Sequence, residues 1–90
     1  MATLVYGHHK VKEYSKWRPI FDSDEERRLS YGIKVKSLSA NQQDPNDIHF
    51  LFEFENMDQF NACFQSPELA HLMEEAGVLE RPDFVLLNEI

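Results

Sequence analysis

Residues 48–54, IHFLFEF, decide the fold. Ile48, Phe50, Phe52 and Phe54 alternate with His49, Leu51 and Glu53, the period of a strand with two unlike faces. The phenylalanine side requires a thick apolar layer to cover it. The opposite side carries His49 and Glu53, which require water, a partner or a ligand.

Working outward, the polar run 41–47 (NQQDPND), with Asp44-Pro45 suited to starting a tight turn, predicts a hairpin to a strand over residues 33–40. In that strand Ile33 and Val35 alternate with Lys34 and Lys36, and lysines on one side predict an edge protected against unwanted pairing. Before it, residues 13–31 read as helix: Tyr14, Trp17 and Phe21 recur at i, i+3 and i+7 with Ile20 beside them. Pro19 removes one backbone hydrogen bond and predicts a kink or break at that point. Asp22 or Ser23 then caps the second half, with Glu25 and Glu26 at its positive end, and Gly32 supplies the left-handed residue after the last turn. The first strand, residues 3–11, sets Leu4, Tyr6 and His8 against Val5, Gly7, His9 and Val11. Gly7 in its middle marks a bulge or a close approach to the backbone.

Downstream, Asp58 is expected to cap a helix through Gln65 carrying Phe60 and Phe64. Ser66-Pro67-Glu68 restarts it, with Ser as cap, Pro at the first position and Glu in the first turn. Leu69, Leu72, Met73 and Ala76 form its apolar face, Gly77 ends it, and residues 83–90 form the last strand. The order is strand, helix, strand, strand, broken helix, strand: an α+β, ferredoxin-like βαββαβ domain with a four-stranded antiparallel sheet. The right-handed crossover rule places strands 1 and 3 in the centre and the helices on one face. The other face stays bare and partly apolar, a surface for self-association.

The 90 residues make one domain, spanning 1–90, able to hide about 60–65% of its unfolded-chain surface. A formal charge of −7 argues against broad nucleic-acid binding, because phosphate contacts need clustered Lys and Arg. The tightest basic pair, Arg27-Arg28, follows Asp24-Glu25-Glu26 and is largely neutralised by it. No apolar run reaches the roughly 18–20 residues of a membrane span, and no basic-then-apolar opening predicts a signal peptide. A single cysteine excludes an intrachain disulfide and fits a reducing compartment. The expectation is a cytoplasmic protein.

His9-Lys10-Val11, Tyr14-Ser15-Lys16-Trp17 and Phe21-Asp22 resemble the start of short dimeric α+β barrel proteins. So do Phe52-Glu53-Phe54, Phe60, Ser66-Pro67-Glu68-Leu69 and Ala76-Gly77-Val78 further on. The likeness covers most of the chain and is to the superfamily that contains the antibiotic biosynthesis monooxygenases. It implies a homodimer in which two sheets press together, often with a ligand cavity between sheet and helices. Members of that group include cofactor-independent oxygenases acting on polycyclic phenols or quinols, haem-degrading enzymes and cyclases, so fold does not carry one function across it. The haem-degrading branch uses an Asn on the first strand, a Trp ending the third and a helical His. Here no Asn lies in residues 3–11, Phe54 stands in place of the Trp and Met73 near the place of the His. His71 is roughly 200° away round the helix, so haem degradation is rejected.

His8 and His9 are adjacent on a strand, point to opposite faces and cannot hold one metal from the same side. No HxH, HxxxH or CxxC spacing occurs, so no metal is expected, and the resemblance implies chemistry without a cofactor. His49 and Glu53 are roughly 13 Å apart along their strand, too far for a dyad. Cys63, between Phe60 and Phe64, reads as a small buried apolar residue. The candidate catalytic residues are His9 and His49, either of which as a neutral imidazole can take a proton from a phenolic substrate. Trp17, Tyr14 and Phe52 are the candidate cavity lining. The expected function is cofactor-free, monooxygenase-like chemistry or isomerisation on a small aromatic or quinol-type molecule. The alternative is a non-catalytic small-molecule-binding or stress-associated dimer, or a purely structural dimer module whose bare sheet face serves association only. A cavity that converges two or more ionisable groups on an apolar volume favours the enzyme. One packed shut by Phe50, Phe52, Phe54 and Trp17 favours the alternative.

Overall fold

The computed structural model describes residues 3–79 and 82–90. In chain order its elements are β1 (Thr3–Lys10), α1 (Tyr14–Ser23), α2 (Glu25–Ser30), β2 (Lys34–Asn41), β3 (Asp44–Phe54), α3 (Met57–Gln65), α4 (Pro67–Glu75) and β4 (Asp83–Asn88). The strands form one antiparallel sheet in the order β2-β3-β1-β4. β1 and β3 hold the centre, and the lysine-bearing β2 is an edge, as its pattern predicts.

The alternation of β3 governs the packing. Ile48, Phe50, Phe52 and Phe54 are all buried. Phe54 stacks on Phe60 of α3 at 4.4 Å, and Phe52 faces Phe21 of α1 at 6.3 Å. Each buried aromatic ring of this kind stabilises by about 1.5–3 kcal/mol, so the face is the main source of cohesion. β1 runs beside β3 without a register shift from Thr3↔Phe54 to Lys10↔Asp47, so Gly7 is not a bulge. It is a close approach: a Cβ there would lie 2.5 Å from Phe50 Cζ and 2.8 Å from the Asp83 carbonyl oxygen. Val11 lies just past β1 and forms an isolated bridge with Val78.

Four local expectations are corrected. The first helix runs through Pro19 and breaks only at Asp24. The break falls there because the Asp24 carboxylate turns inward to accept from Nε and Nη2 of Arg27, at 2.7 and 3.0 Å. Neither Asp22 nor Ser23 caps the second half; Ser23 Oγ donates to the Ile20 carbonyl and Asp22 accepts from Arg18. Asn56, not Asp58, caps α3, because its Oδ1 accepts the Gln59 N–H and leaves Asp58 in the first turn. The hairpin turn is much shorter than residues 41–47. Asn41 Oδ1 accepts the Gln43 N–H and closes the turn at once, so Asn41 pairs with Asp44 and β3 begins there. Pro45 and Asp47 are therefore strand residues. By contrast, Ser66 caps α4 with Pro67 in its first turn, as the motif predicts.

Candidate functional site

Between the phenylalanine face and the helices lies a cavity of about 70 Å³. β1 supplies His9, β3 Phe50 and Phe52, α1 Trp17 and Phe21, α2 Arg27 and Arg28, and α4 Leu69, Leu72 and Met73. His9 faces inward because it alternates in step with Val5 and Gly7 on β1. Its ring meets Trp17 edge-on at 5.7 Å and Phe50 at 5.7 Å. Trp17 stacks on Phe21 at 4.7 Å, and the Arg28 guanidinium covers the other end of that row, 3.8 Å from the Phe21 ring. An aromatic wall thus runs from an imidazole to a guanidinium.

Both polar ends are under-satisfied. Among the described residues, neither nitrogen of His9 nor Arg28 Nε has a hydrogen-bond partner, although all three atoms are buried. Native interiors rarely leave such groups unpaired, and each costs about 1–3 kcal/mol. Burial, with His8 alongside, lowers the His9 pKa to about 4 against a weaker upward pull from Asp47, so the imidazole is neutral at neutral pH. Burial likewise lowers the Arg28 pKa, with Asp24 pulling the other way. Arg28 donates one bond to the Phe21 carbonyl at 2.9 Å and stands 3.7 Å from Asp24. Asp24 is already gripped by Arg27, so one buried and one half-buried cation share one buried anion. Burial also raises the Cys63 pKa, which keeps that thiol a neutral wall residue.

His9, Trp17 and Phe52 therefore meet at one cavity. Tyr14 does not reach it; with Trp17 it borders a separate hollow of about 240 Å³ between α1 and β2. The charged group there, Arg18, is already paired with Asp22 and with the Tyr14 hydroxyl, each at 3.0 Å. His49 lies on the opposite face of the sheet, out of step with the phenylalanines. Its Nδ1 hydrogen-bonds the Tyr6 hydroxyl, its Nε2 is 3.3 Å from Asp47 Oδ2, and its ring stacks on His8 at 5.0 Å. Burial pushes the Asp47 carboxyl up, but hydrogen bonds from Asn41 and His49 outweigh it and hold the group below its usual range.

Arg28 is the cavity residue that the linear reading missed, having been set aside with Arg27 as neutralised by nearby acids. The linear signal is faint: Phe21 and Arg28 stand seven residues apart, the spacing of two helical turns, but the break at Asp24 falls between them.

The architecture defines a class, the ferredoxin-like α+β domains whose solved examples include antibiotic biosynthesis monooxygenase-like proteins. Among them, a candidate antibiotic biosynthesis monooxygenase of Bordetella bronchiseptica superposes with a TM-score of 0.77 at 12% identity, over 99% of this chain and 97% of that one. A conserved protein of Methanosarcina mazei gives 0.74 at 13% identity, over 100% and 94%. SnoaB of Streptomyces nogalater, a cofactor-independent oxygenase, gives 0.72 at 11% identity, over 98% and 92%. Likeness at such identities is a likeness of fold. No family model matches the chain, and no curated protein sequence is similar to it. Among the described residues, no helix is long and apolar enough to cross a membrane.

Proposed function

We propose that the chain is a cofactor-independent, monooxygenase-like enzyme acting on a small phenolic or quinol-type ring, with His9 as the base. One observation carries this reading: a buried imidazole and a buried guanidinium, each with an unpartnered nitrogen, both border one largely apolar cavity. A phenol entering beside Trp17 gives its proton to a neutral His9 nitrogen. The electron pair stays on the phenolic oxygen, and Arg28, at the opposite end of the aromatic row, favours the anion through the field of its positive charge across the apolar cavity. The electron-rich anion is then the species that meets dioxygen behind an aromatic wall that excludes water.

The volume limits the substrate. A closed apolar cavity of about 150 Å³ takes up benzene, and this one holds about 70 Å³. A ring enters only if a wall yields, which favours one ring over a polycycle. The wall best placed to yield is α4, which has no fully buried residue and lines the cavity with Leu69, Leu72 and the adaptable Met73. The proposal includes a homodimer through the open sheet face, supported by the apolar Leu4, Tyr6, Leu51, Val85 and Leu87 on that side.

The test is dioxygen uptake by the purified chain, without added flavin, haem or metal, across single-ring phenols and hydroquinones. His9→Gln is expected to lower turnover about 100-fold or more, and His49→Ala to leave it unchanged. Full turnover in His9→Gln refutes the role of the base. Stoichiometric binding of a ring that is returned unaltered establishes instead the non-catalytic binding protein.

A further inference from the structure

We propose that His8, Asp47 and His49, on the open face of the sheet, form a binding site for a divalent transition-metal ion, zinc foremost. No run of neighbouring residues encodes this site; strand pairing assembles it. The β1–β3 register sets His8 directly opposite His49, and Asp47 precedes His49 by one full pleat on the same face. Their donor atoms all lie within 4.8 Å of one another.

The spacing suits a small ion. Donors about 2.0–2.1 Å from a tetrahedral zinc stand roughly 3.3–3.4 Å apart. Here His49 Nε2 is 3.3 Å from Asp47 Oδ2, and His8 Nδ1 is 3.7 Å from Asp47 Oδ1. Both histidines thus approach the Asp47 carboxylate at close to that spacing, each at a different oxygen, and a small turn of the carboxylate and of the exposed His8 ring brings one donor from each residue onto a single ion.

Two further features point to an ion rather than to a bare hydrogen-bond cluster. Asp47 Oδ1 is buried and lacks a hydrogen-bond partner among the described residues, while Oδ2 takes Asn41 at 3.3 Å and faces His49. An ion satisfies the orphaned oxygen. The Tyr6 hydroxyl, on His49 Nδ1, orients the far nitrogen toward Asp47, the arrangement by which an outer group aims a ligating histidine. In the metal-bound form the neutral imidazole of His49 carries its one proton on Nδ1 and donates it to the tyrosine oxygen, leaving the Nε2 lone pair for the ion. Two imidazoles and one carboxylate suit zinc, cobalt or iron(II); magnesium and calcium, which take oxygen donors, are poorly matched. Three protein ligands leave a fourth position for water on the open side.

The experiment titrates zinc into the tag-free, metal-stripped chain by calorimetry and follows the imidazole signals by nitrogen-15 NMR. One ion per chain is expected, with the His8 and His49 rings shifting and those of His9 and His71 unmoved. His8→Ala and His49→Ala each weaken binding more than about tenfold, Tyr6→Phe about tenfold, and His71→Ala not at all; millimolar magnesium does not compete. Zinc binding that survives His49→Ala, that is lost in His71→Ala, or that does not occur in the wild-type chain overturns the site. The NMR reading on the wild-type chain decides the matter even where a variant fails to fold.

Discussion

His9 combines the highest local cost with the clearest chemical use. An imidazole held near pKa 4 in the folded chain titrates near 6.5 when unfolded. Between those values the unfolded chain binds more protons, so stability is full above about pH 6.5 and is lost as pH falls toward 4, by up to about 3 kcal/mol. Urea midpoints measured from pH 7 to pH 4.5 are expected to fall in the wild-type chain. His9→Leu, of similar volume and without a titrating group, is expected to flatten that fall and to be the more stable at pH 5. The inward aim of His9 was legible from alternation alone, since Val5, Gly7 and His9 share a face. Its partner across the cavity was not, because Arg28 sits in a charged stretch whose exposure cannot be read from composition. Nothing linear shows that Asp24 turns inward and carries both arginines with it.

The elements show where local rules give way to tertiary ones. Pro19 weakens a helix, yet α1 continues past it, because Trp17 and Phe21 are anchored on either side in the core. The break comes where a buried ion cluster needs it, at Asp24. Removing one member of such a cluster leaves uncompensated charge: Asp24→Ala is expected to cost about 3–5 kcal/mol in chemical denaturation. The hairpin teaches the complementary lesson. Reading residues 41–47 as turn hides Asp47, because a turn residue has no assigned face. Once Asn41 closes the turn, Asp47 joins β3 and shares a side with His49. The His8–Asp47–His49 cluster was therefore invisible to a search for spacings along the chain, since Asp47 and His49 share β3 but the third member, His8, comes from β1.

At the scale of the whole molecule, element order and the crossover rule were enough to place β1 and β3 in the centre and to leave one face of the sheet bare. The rules could not reveal how open β4 is on both sides. Val85 and Leu86, which point to opposite faces, are 53% and 51% exposed. An edge strand so apolar is a liability in an isolated chain and is readily covered by a second copy. Native mass spectrometry is expected to show a dimer for the wild-type chain and a monomer for Leu87→Lys, whose charge would be buried between sheets; a monomeric wild-type chain refutes the proposed association. The aromatic row beneath the sheet has a further consequence. Its indole, Trp17, is the chain's one tryptophan, buried, stacked on Phe21 and edge-on to His9. Indole emission shifts with the polarity of its surroundings and is quenched by a charged imidazole, so the fluorescence of the unlabelled protein is an optical record of what happens in the cavity.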